Sequence, residues 1–367
     1  MSLIELASGK AEEVARVMGI CNACRYCEGL CAVFPAMEKR RVFGQGDVDY
    51  LANLCHNCGA CYHDCQYAPP HEFGVNAPVA LAELREESYQ RYAWPAALAP
   101  LFERNGLWIT LLAALSVAGF IAGFVAWHDP AALFDPHVGE GAFYRLMPHN
   151  AMVAVFGTVF LFALLAMAMS LRRFWVETGA RGSLDGTTLW RAMKDAGRLR
   201  YLDGGGPGCM NSDEKPDDTR RLYHHLTFYG FLLCFASTST ATVFHYGLGW
   251  EAPYPWYSPV KIFGVLGGIG LLIGPWGLAV AKAKRAKAVL TASASGMDTA
   301  FLVMLFLTSL TGLALYLLRE TPAMGLLLAA HLGIVFALFL SFPYGKFVHG
   351  LYRFAALVRH AAEERKP

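Results

Sequence analysis

The sequence has little charge for its length. Only 16% of its 367 residues are Asp, Glu, Lys or Arg, whereas soluble domains average about 25%. The net charge is +2 and no sustained basic stripe follows the chain, which argues against a nucleic-acid-binding protein and against a disordered chain. Hydrophobic residues reach 55% and gather in long uncharged runs in the second part of the chain, which disfavours a soluble multidomain enzyme.

Several common signatures are also missing. No nucleophile elbow or paired-carboxylate site is present, and the glycine-rich stretch 204–208 neither follows a predicted strand nor opens a helix, as a dinucleotide fingerprint does. We therefore predict no catalytic residues, and we interpret this stretch as a flexible connector, with a partner-docking or quinone-facing turn as the alternative. The first twenty residues lack the apolar stretch of a secretory signal, so we expect the N-terminal segment to be cytoplasmic.

Six runs contain no Asp, Glu, Lys or Arg. They cover residues 106–127, 151–171, 226–244, 262–281, 299–318 and 325–342. Each is close to the 17 to 25 residues that a helix needs to cross a hydrocarbon core of roughly 30 Å. Six such runs in one chain predict a six-helix transmembrane bundle rather than buried helices of a soluble protein.

The distribution of Lys and Arg predicts the orientation of this bundle. All but three of the 31 Lys and Arg lie before the first run, in the 172–222 loop, in the loop after the fourth run, or in the tail. The other three, Arg145, Lys261 and Arg319, lie one in each loop of the opposite side. The positive-inside rule therefore places both termini and the 172–222 loop in the cytoplasm of a bacterial cell, with the bundle in the inner membrane.

Eight of the ten cysteines lie in two short repeats. The first repeat is Cys21, Cys24, Cys27 and Cys31, and the second, 34 residues later at every position, is Cys55, Cys58, Cys61 and Cys65. Both have the spacing C-x2-C-x2-C-x3-C, which is typical of two-cluster ferredoxins. Structural zinc favours two CxxC pairs held farther apart, and disulfides are rare in the cytoplasm, so neither alternative fits as well.

The spacing predicts two [4Fe–4S] clusters with interleaved ligands. In two-cluster ferredoxins the fourth cysteine of each run binds the other cluster. The first cluster would then use Cys21, Cys24, Cys27 and Cys65, and the second would use Cys55, Cys58, Cys61 and Cys31. Three further histidines near the second repeat are not needed as ligands, and we expect them to face solvent or to support the ligands: His56, His63 and His71.

Histidines at the ends of two spans suggest haem. His224 and His225 precede the third span and His245 follows it, whereas His331 lies inside the sixth span and His349 beyond it. His331 and His349 are 18 residues apart, which is five helical turns, so they share one face at two membrane levels. The pattern predicts one or two b-type haems with pairs of histidine ligands.

The haem ligands are not fully resolved by the pattern. At the cytoplasmic level, His349 would pair with His224 or His225, and the helical phase slightly favours His224. At the outer level, His245 would pair with His331, and His149 competes for this role. Glycines near these positions would allow a flat macrocycle to approach the backbone: Gly230, Gly247, Gly325, Gly333 and Gly345.

Three segments resemble the tricarballylate or citrate utilization protein B family. They are CHNCGACYHDCQYAPPHEFGVNAP, GGGPGC followed by RRLYHHLTFYGFLLCFASTSTATVFHY, and the closing FPYGKFVHGLYRF. The resemblance covers most of the chain, from Cys21 to Arg353. It implies a membrane electron-transfer protein that reoxidises the FAD of a partner tricarballylate dehydrogenase and passes electrons through the clusters and b haem to the quinone pool.

The predicted protein is mainly α-helical. A small ferredoxin-like iron–sulfur domain covers residues 1–95, a six-span membrane domain covers 100–350, and a cytoplasmic tail covers 351–367. We interpret the chain as an electron-transfer subunit rather than a stand-alone enzyme, with the lipid bilayer, a flavoprotein and quinone as its partners. Two alternatives remain: a quinol-linked subunit that delivers electrons to a cytoplasmic reductase of the heterodisulfide type, and a membrane-tethered redox sensor.

Overall fold

The computed structural model describes residues 6–128, 130–179 and 185–364, except for the side chains of 292–295. The described chain is almost entirely helical. Its α-helices are α1 (Gly9–Cys24), α2 (Val33–Glu38), α3 (Gln45–Leu54), α4 (Ala60–His63), α5 (Ala77–Tyr92), α6 (Asn105–Trp127), α7 (Ala142–Leu146), α8 (His149–Glu177), α9 (Gly186–Gly197), α10 (Thr219–Leu248), α11 (Pro259–Ala283), α12 (Ala292–Leu318), α13 (Met324–Ser341) and α14 (Val348–Glu363). Two short antiparallel strands, β1 (Cys209–Met210) and β2 (Pro216–Asp217), lie before α10.

Helices α1 to α5 form the N-terminal domain. The side chain of Ser8 accepts a hydrogen bond from the backbone N–H of Ala11 at the start of α1, and Arg25 ends the helix in the left-handed conformation. Buried residues of α1 and α3 form much of the core, among them Val14, Met18 and Leu51. Apolar side chains therefore fold this domain around the two cysteine repeats, which lie at helix ends and in the loops between helices.

Six of the described helices are long and apolar enough to cross a membrane. They cover Asn105–Trp127, His149–Glu177, Thr219–Leu248, Pro259–Ala283, Gly296–Leu318 and Met324–Tyr344. The six-span prediction is confirmed, and each uncharged run lies inside one of these helices. The helices extend beyond the runs at most of their ends, because backbone hydrogen bonding continues into polar residues that reach the membrane surface.

Several glycines predicted to face a macrocycle instead lie between helices. A Cβ atom at Gly230 of α10 would lie 3.0 Å from the carbonyl oxygen of Gly267 in α11. A Cβ atom at Gly333 of α13 would lie 2.5 Å from the Cα atom of Val117 in α6. That expectation was wrong for both positions, because the absent side chains permit close helix packing.

Helix α14 returns from the membrane domain to the N-terminal domain, where it packs against α3 and α9. Glu363 accepts hydrogen bonds from Arg40 at 2.5 Å and from Arg359 at 2.9 Å. Arg40 and Arg359 also contact Asp47 of α3, at 2.7 and 3.1 Å. This network attaches the C-terminal helix to the domain that carries the cysteines.

Candidate functional site

The first thiol set consists of Cys21, Cys24, Cys27 and Cys65. All four are partly exposed and line one cavity of about 240 Å³, together with Asp64 and Gln66. Burial and the neighbouring thiols of Cys27 and Cys65 raise the pKa of Cys21 to about 12. These thiols therefore interact with one another in the described structure, and the cavity beside them has room for a bound group.

The second thiol set consists of Cys31, Cys55, Cys58 and Cys61. Cys55 and Cys58 are buried. Burial, followed by the thiols of Cys58 and Cys55, raises the pKa of Cys31. Burial, and after it the thiols of Cys58 and Cys31, likewise raises the pKa of Cys61. The fourth cysteine of each sequence repeat thus has its main electrostatic thiol neighbours in the other repeat.

The thiols are not arranged around a single ion. Among residues 6–128, 130–179 and 185–364, no three His, Cys, Asp or Glu side chains are placed to hold one metal ion. Tetrahedral zinc with sulfur ligands at about 2.3 Å would bring the sulfur atoms to about 3.8 Å from one another. A cubic cluster separates its four thiolates farther, because each thiolate binds a different corner.

The glycine-rich loop lies on the second cysteine repeat. Gly204 has φ of +60°, and a Cβ atom there would lie 2.0 Å from the carbonyl oxygen of Gly208 and 3.4 Å from the Cβ of Ala60. A Cβ atom at Gly205 would lie 3.0 Å from the side chain of Leu30. The backbone N–H of Met210 donates to the carbonyl oxygen of Cys58 at 3.2 Å. The loop is therefore a packed cover rather than the predicted flexible connector.

Four arginines meet at the carbonyl oxygens of the second repeat. Arg85 and Arg353 donate to the carbonyl oxygen of Cys55, at 2.8 and 2.7 Å. Arg220 and Arg285 both donate to the carbonyl oxygen of Asn57, each at 2.7 Å. We call Arg85, Arg220, Arg285 and Arg353 the interface arginines. Arg220, Arg285 and Arg353 connect the second repeat to α10, to the segment after α11 and to α14, whereas Arg85 comes from α5 of the N-terminal domain.

The three histidines near the second repeat have different surroundings. His56 is buried, and its Nδ1 lies 3.0 Å from the carbonyl oxygen of Leu54. Burial, followed by the charge of Arg353, lowers the pKa of His56. His63 is partly buried and His71 is exposed, with its Nδ1 accepting from the backbone N–H of Phe73 at 3.1 Å. His56 therefore does not face solvent.

His224 and His349 form a facing pair at the end of the bundle that is nearest the N-terminal domain. Their ring centroids are 6.3 Å apart, with the planes at 74°. Two imidazoles that bind one metal ion from opposite sides, each at about 2 Å, have centroids roughly 6 Å apart. His349 Nδ1 lies 2.5 Å from the carbonyl oxygen of Lys346, which leaves its Nε2 available. His224 has a buried Nδ1 without a hydrogen-bond partner among the described residues.

Each histidine of the facing pair lies one helical turn from an arginine that contacts the second repeat. Arg220 precedes His224 by four residues in α10, and Arg353 follows His349 by four residues in α14. Since one turn of α-helix advances about 5.4 Å, each histidine of the pair is adjacent to an arginine that contacts the repeat through a backbone carbonyl. The two candidate sites are therefore neighbours in space.

His225 faces another region. Its ring lies 5.9 Å from that of Tyr229. Both side chains line a cavity of about 460 Å³ that also includes Arg198 and Arg221. The described contacts of His224 include His349, and those of His225 do not. This agrees with the preference for His224 that helical phase predicts.

The outer-level pairing differs from the predicted one. The rings of His245 and His149 have centroids 3.9 Å apart and planes tilted by 34°, which is too close for a metal ion between the two rings. His331 Nδ1 lies 3.0 Å from the Oγ1 of Thr311, and a Cβ atom at Gly312 would lie 3.0 Å from the His331 ring. The contacts described for His245 and His331 do not join the two rings, so the arrangement fits one facing pair better than two.

The sequence patterns did not identify the interface arginines as functional residues. Arg220 and Arg353 stand at the i−4 and i+4 positions of two candidate haem histidines, and that spacing could have singled them out. Arg85 and Arg285 carry no such local signal. Their importance comes from tertiary contacts between α5, the loop after α11 and the second repeat.

Two family models match the chain. The one described as Citrate utilization protein B covers residues 100–367, and the one described as Citrate utilization protein B Fer4-like domain covers residues 14–91, which include both cysteine repeats. The second match indicates an iron–sulfur cluster-binding domain. A protein described as Citrate utilization protein B from Escherichia coli is 50% identical over 355 residues, which are 96% of this chain and 93% of that protein. No solved structure matches. The chain therefore belongs to the citrate utilization protein B family.

Proposed function

We propose that this chain is a membrane electron-transfer subunit. It would accept electrons from the reduced FAD of a cytoplasmic dehydrogenase that oxidises tricarballylate or a related tricarboxylate, and deliver them to quinone in a bacterial inner membrane. The family membership and the Fer4-like domain support the iron–sulfur part of this role. The dehydrogenase, the quinone, the haem and the cytoplasmic location of both termini are proposals.

The observation that carries the proposal is the adjacency of the second thiol set and the facing histidines. Arg353 donates to the carbonyl oxygen of Cys55 at 2.7 Å and follows His349 by one turn. Iron–sulfur clusters and haem, when bound, supply one-electron chemistry. A cluster held by the second thiol set and a haem held by His224 and His349 would therefore be close enough for electron exchange.

The first thiol set is the proposed entry point. Its four cysteines are partly exposed around an open cavity, where Tyr26 has 73% of its surface exposed. A flavoprotein that docks at this end of the N-terminal domain would reach the first set before the second. The second set, of which Cys55 and Cys58 are buried, and its arginines then lie between the entry point and the membrane helices.

A spectroscopic count on the full chain in detergent tests the proposal. We expect close to eight non-haem iron atoms, and a pyridine haemochrome that gives one b haem for each chain. Two haems would indicate that the outer histidines also bind one, in an arrangement other than the described contacts. Absence of both haem and acid-labile sulfide would refute the electron-transfer function.

The direction of electron flow requires a second measurement. We expect the reduced flavoprotein with tricarballylate to reduce the chain, and a soluble quinone analogue to reoxidise it. Reduction by quinol but not by the flavoprotein would favour the quinol-linked reductase subunit instead. A haem-free protein whose clusters respond to neither reagent would favour the redox sensor.

A further inference from the structure

The interface arginines lie in an unusual electrostatic environment. Arg85 and Arg285 are 6% and 7% exposed, and Arg220 and Arg353 are partly buried. Within the part of the chain that the structure describes, the ion pairs involve other arginines and none of these four. Buried charges without a close ion pair are costly, so an anion at the second thiol set would stabilise this group.

The arginines remain charged at neutral pH. Burial is the main cause that lowers the pKa of Arg285 to about 10, and the positive charge of Arg220 is the second. Burial is likewise the main cause that lowers the pKa of Arg353 to about 10, and the positive charge of Arg85 is the second. Mutual repulsion therefore contributes in both cases, but it does not remove the proton at physiological pH.

The second thiol set lies beside these arginines. Tyr89 and then Cys55 favour the charged forms of Arg85 and Arg353, and Cys209, followed by Cys58 and Cys55, favours that of Arg285. Glu86 and Asp298 also act on Arg85, and Asp298 is paired with Lys346 at 2.6 Å and with Lys282 at 3.5 Å. Thiolates bound to a cluster would carry the permanent negative charge that these arginines face.

The first thiol set has the opposite surroundings. Its cysteines are partly exposed, and the carboxylate of Asp64 is among the groups that raise the pKa of Cys27, after burial and the thiol of Cys65. Gln66 Nε2 lies 3.9 Å from Cys24 Sγ, a weak contact from a neutral group. One set thus faces solvent and a negative charge, whereas the other faces buried positive charges.

We propose that the interface arginines hold a cluster at the second thiol set at a higher reduction potential than a cluster at the first set. This inference rests on the proposed function. One electron would leave the first cluster, which is oxidised, and enter the second, which is reduced, with no bond formed and no proton required. Transfer toward the membrane would then be energetically downhill.

The physical reason is the charge of the reduced state. Reduction adds one negative charge to a site that already carries four thiolates, and the net charge and hydrogen bonds around a cluster set its potential. Burial alone would oppose the added charge. Four fixed positive charges on the flanking peptide carbonyls reverse that effect, because they stabilise the reduced form more than the oxidised form.

The test is a potentiometric titration of the full holoprotein, followed by electron paramagnetic resonance of the reduced clusters. Cys27→Ser and Cys58→Ser assign the two signals to the first and second sets. In Arg220→Gln and in Arg285→Gln we expect the second potential to fall and the first to stay unchanged. The expected shift corresponds to at least a tenfold change in the electron distribution between the sets, or about 59 mV for one electron.

The matched control is Arg16→Gln, which removes one positive charge from α1, where Arg16 pairs with Glu13 at the surface. It should change neither potential. Arg285→Lys keeps the charge and should restore most of the second potential. Equal shifts of both potentials, or no shift in either glutamine variant, would overturn the proposal.

Loss of a cluster is also informative. If a glutamine variant loses the second signal alone and the lysine variant regains it, the charge of the arginine is required, as proposed. If lysine does not restore the signal, or if both signals disappear together, the arginines support the fold and the proposal is wrong. A wild-type protein without clusters would instead refute the proposed function itself.

Discussion

His224 of α10 and His349 of α14 face each other with ring centroids 6.3 Å apart, although 125 positions separate them in the sequence. Their helices are brought together by contacts outside the rings. Phe347, two residues before His349, packs against Phe231 of α10 with centroids 5.4 Å apart. The pair thus has aromatic packing on the side of the bundle and the interface arginines on the side of the second repeat.

Replacement of either histidine of the pair should remove haem. In His349→Ala we expect loss of most of the haem with both iron–sulfur clusters retained, because an unpaired imidazole holds haem iron poorly and the cysteines are untouched. The measurement is the pyridine haemochrome together with iron and sulfide content. His225→Ala is the matched control, and full haem in His349→Ala would contradict the ligand assignment.

His331→Ala tests the outer level. The sequence pattern predicts that this variant loses one haem and keeps both clusters. The contacts of His331 with Thr311 and Gly312 instead favour a packing role, so on the one-haem arrangement the haem content stays at the wild-type value. The haemochrome of this variant therefore decides between one haem and two.

Interleaved ligands can be tested with two serine variants. Cys31→Ser should perturb the cluster assigned by Cys58→Ser, and Cys65→Ser should perturb the cluster assigned by Cys27→Ser, because the electrostatic neighbours cross between the repeats. Each variant should lose or alter one of the two paramagnetic signals. Cys234→Ser, inside α10, should leave both unchanged. The reverse assignment of Cys31 and Cys65 would refute interleaving.

Gly204→Ala should detach the glycine-rich loop from the second repeat. The added Cβ atom would lie 2.0 Å from the carbonyl oxygen of Gly208, in a backbone conformation that costs a non-glycine residue about 1 kcal/mol or more. We expect faster loss of the second cluster's signal in air, with the first little changed. Gly29→Ala, where no atom lies within 4 Å, is the control, and equal rates in both variants would contradict this role of the loop.

The attachment of α14 should depend on pH through Glu363. Burial raises the pKa of this carboxyl, but hydrogen bonds and charge from Arg40 and Arg359 outweigh burial, so the folded pKa is below the usual 4.5. A lowered pKa means that the stabilisation is complete above about pH 4.5 and disappears as the pH falls through the folded value.

Glu363→Gln should therefore unfold at a lower temperature than the wild type at pH 7, with a loss of about 1.5–3 kcal/mol. The difference between the two midpoints should shrink as the pH falls below 4.5. Arg16→Gln, which removes a surface charge elsewhere, should show no such convergence. A difference that is constant between pH 7 and pH 4 would contradict the role of the carboxylate.

Local sequence patterns predicted much of the architecture. Uncharged runs predict membrane helices by their length alone, and this prediction is confirmed, whereas the ligand set that the cysteine spacing predicts stays a prediction. The choice of His224 over His225 followed from helical phase. The contact between His245 and His149 could not be predicted in this way. It depends on how α8 and α10 pack, which no local pattern encodes. The same holds for Arg85 and Arg285.

The return of α14 to the N-terminal domain has a mechanical consequence. The iron–sulfur domain is joined to the bundle through α5 and the segment before α6, and again through α14, which is held by Glu363 and Arg40. A domain attached to the bundle at both of its connections is held in place from two sides. The fold therefore fixes the distance between the second thiol set and the facing histidines.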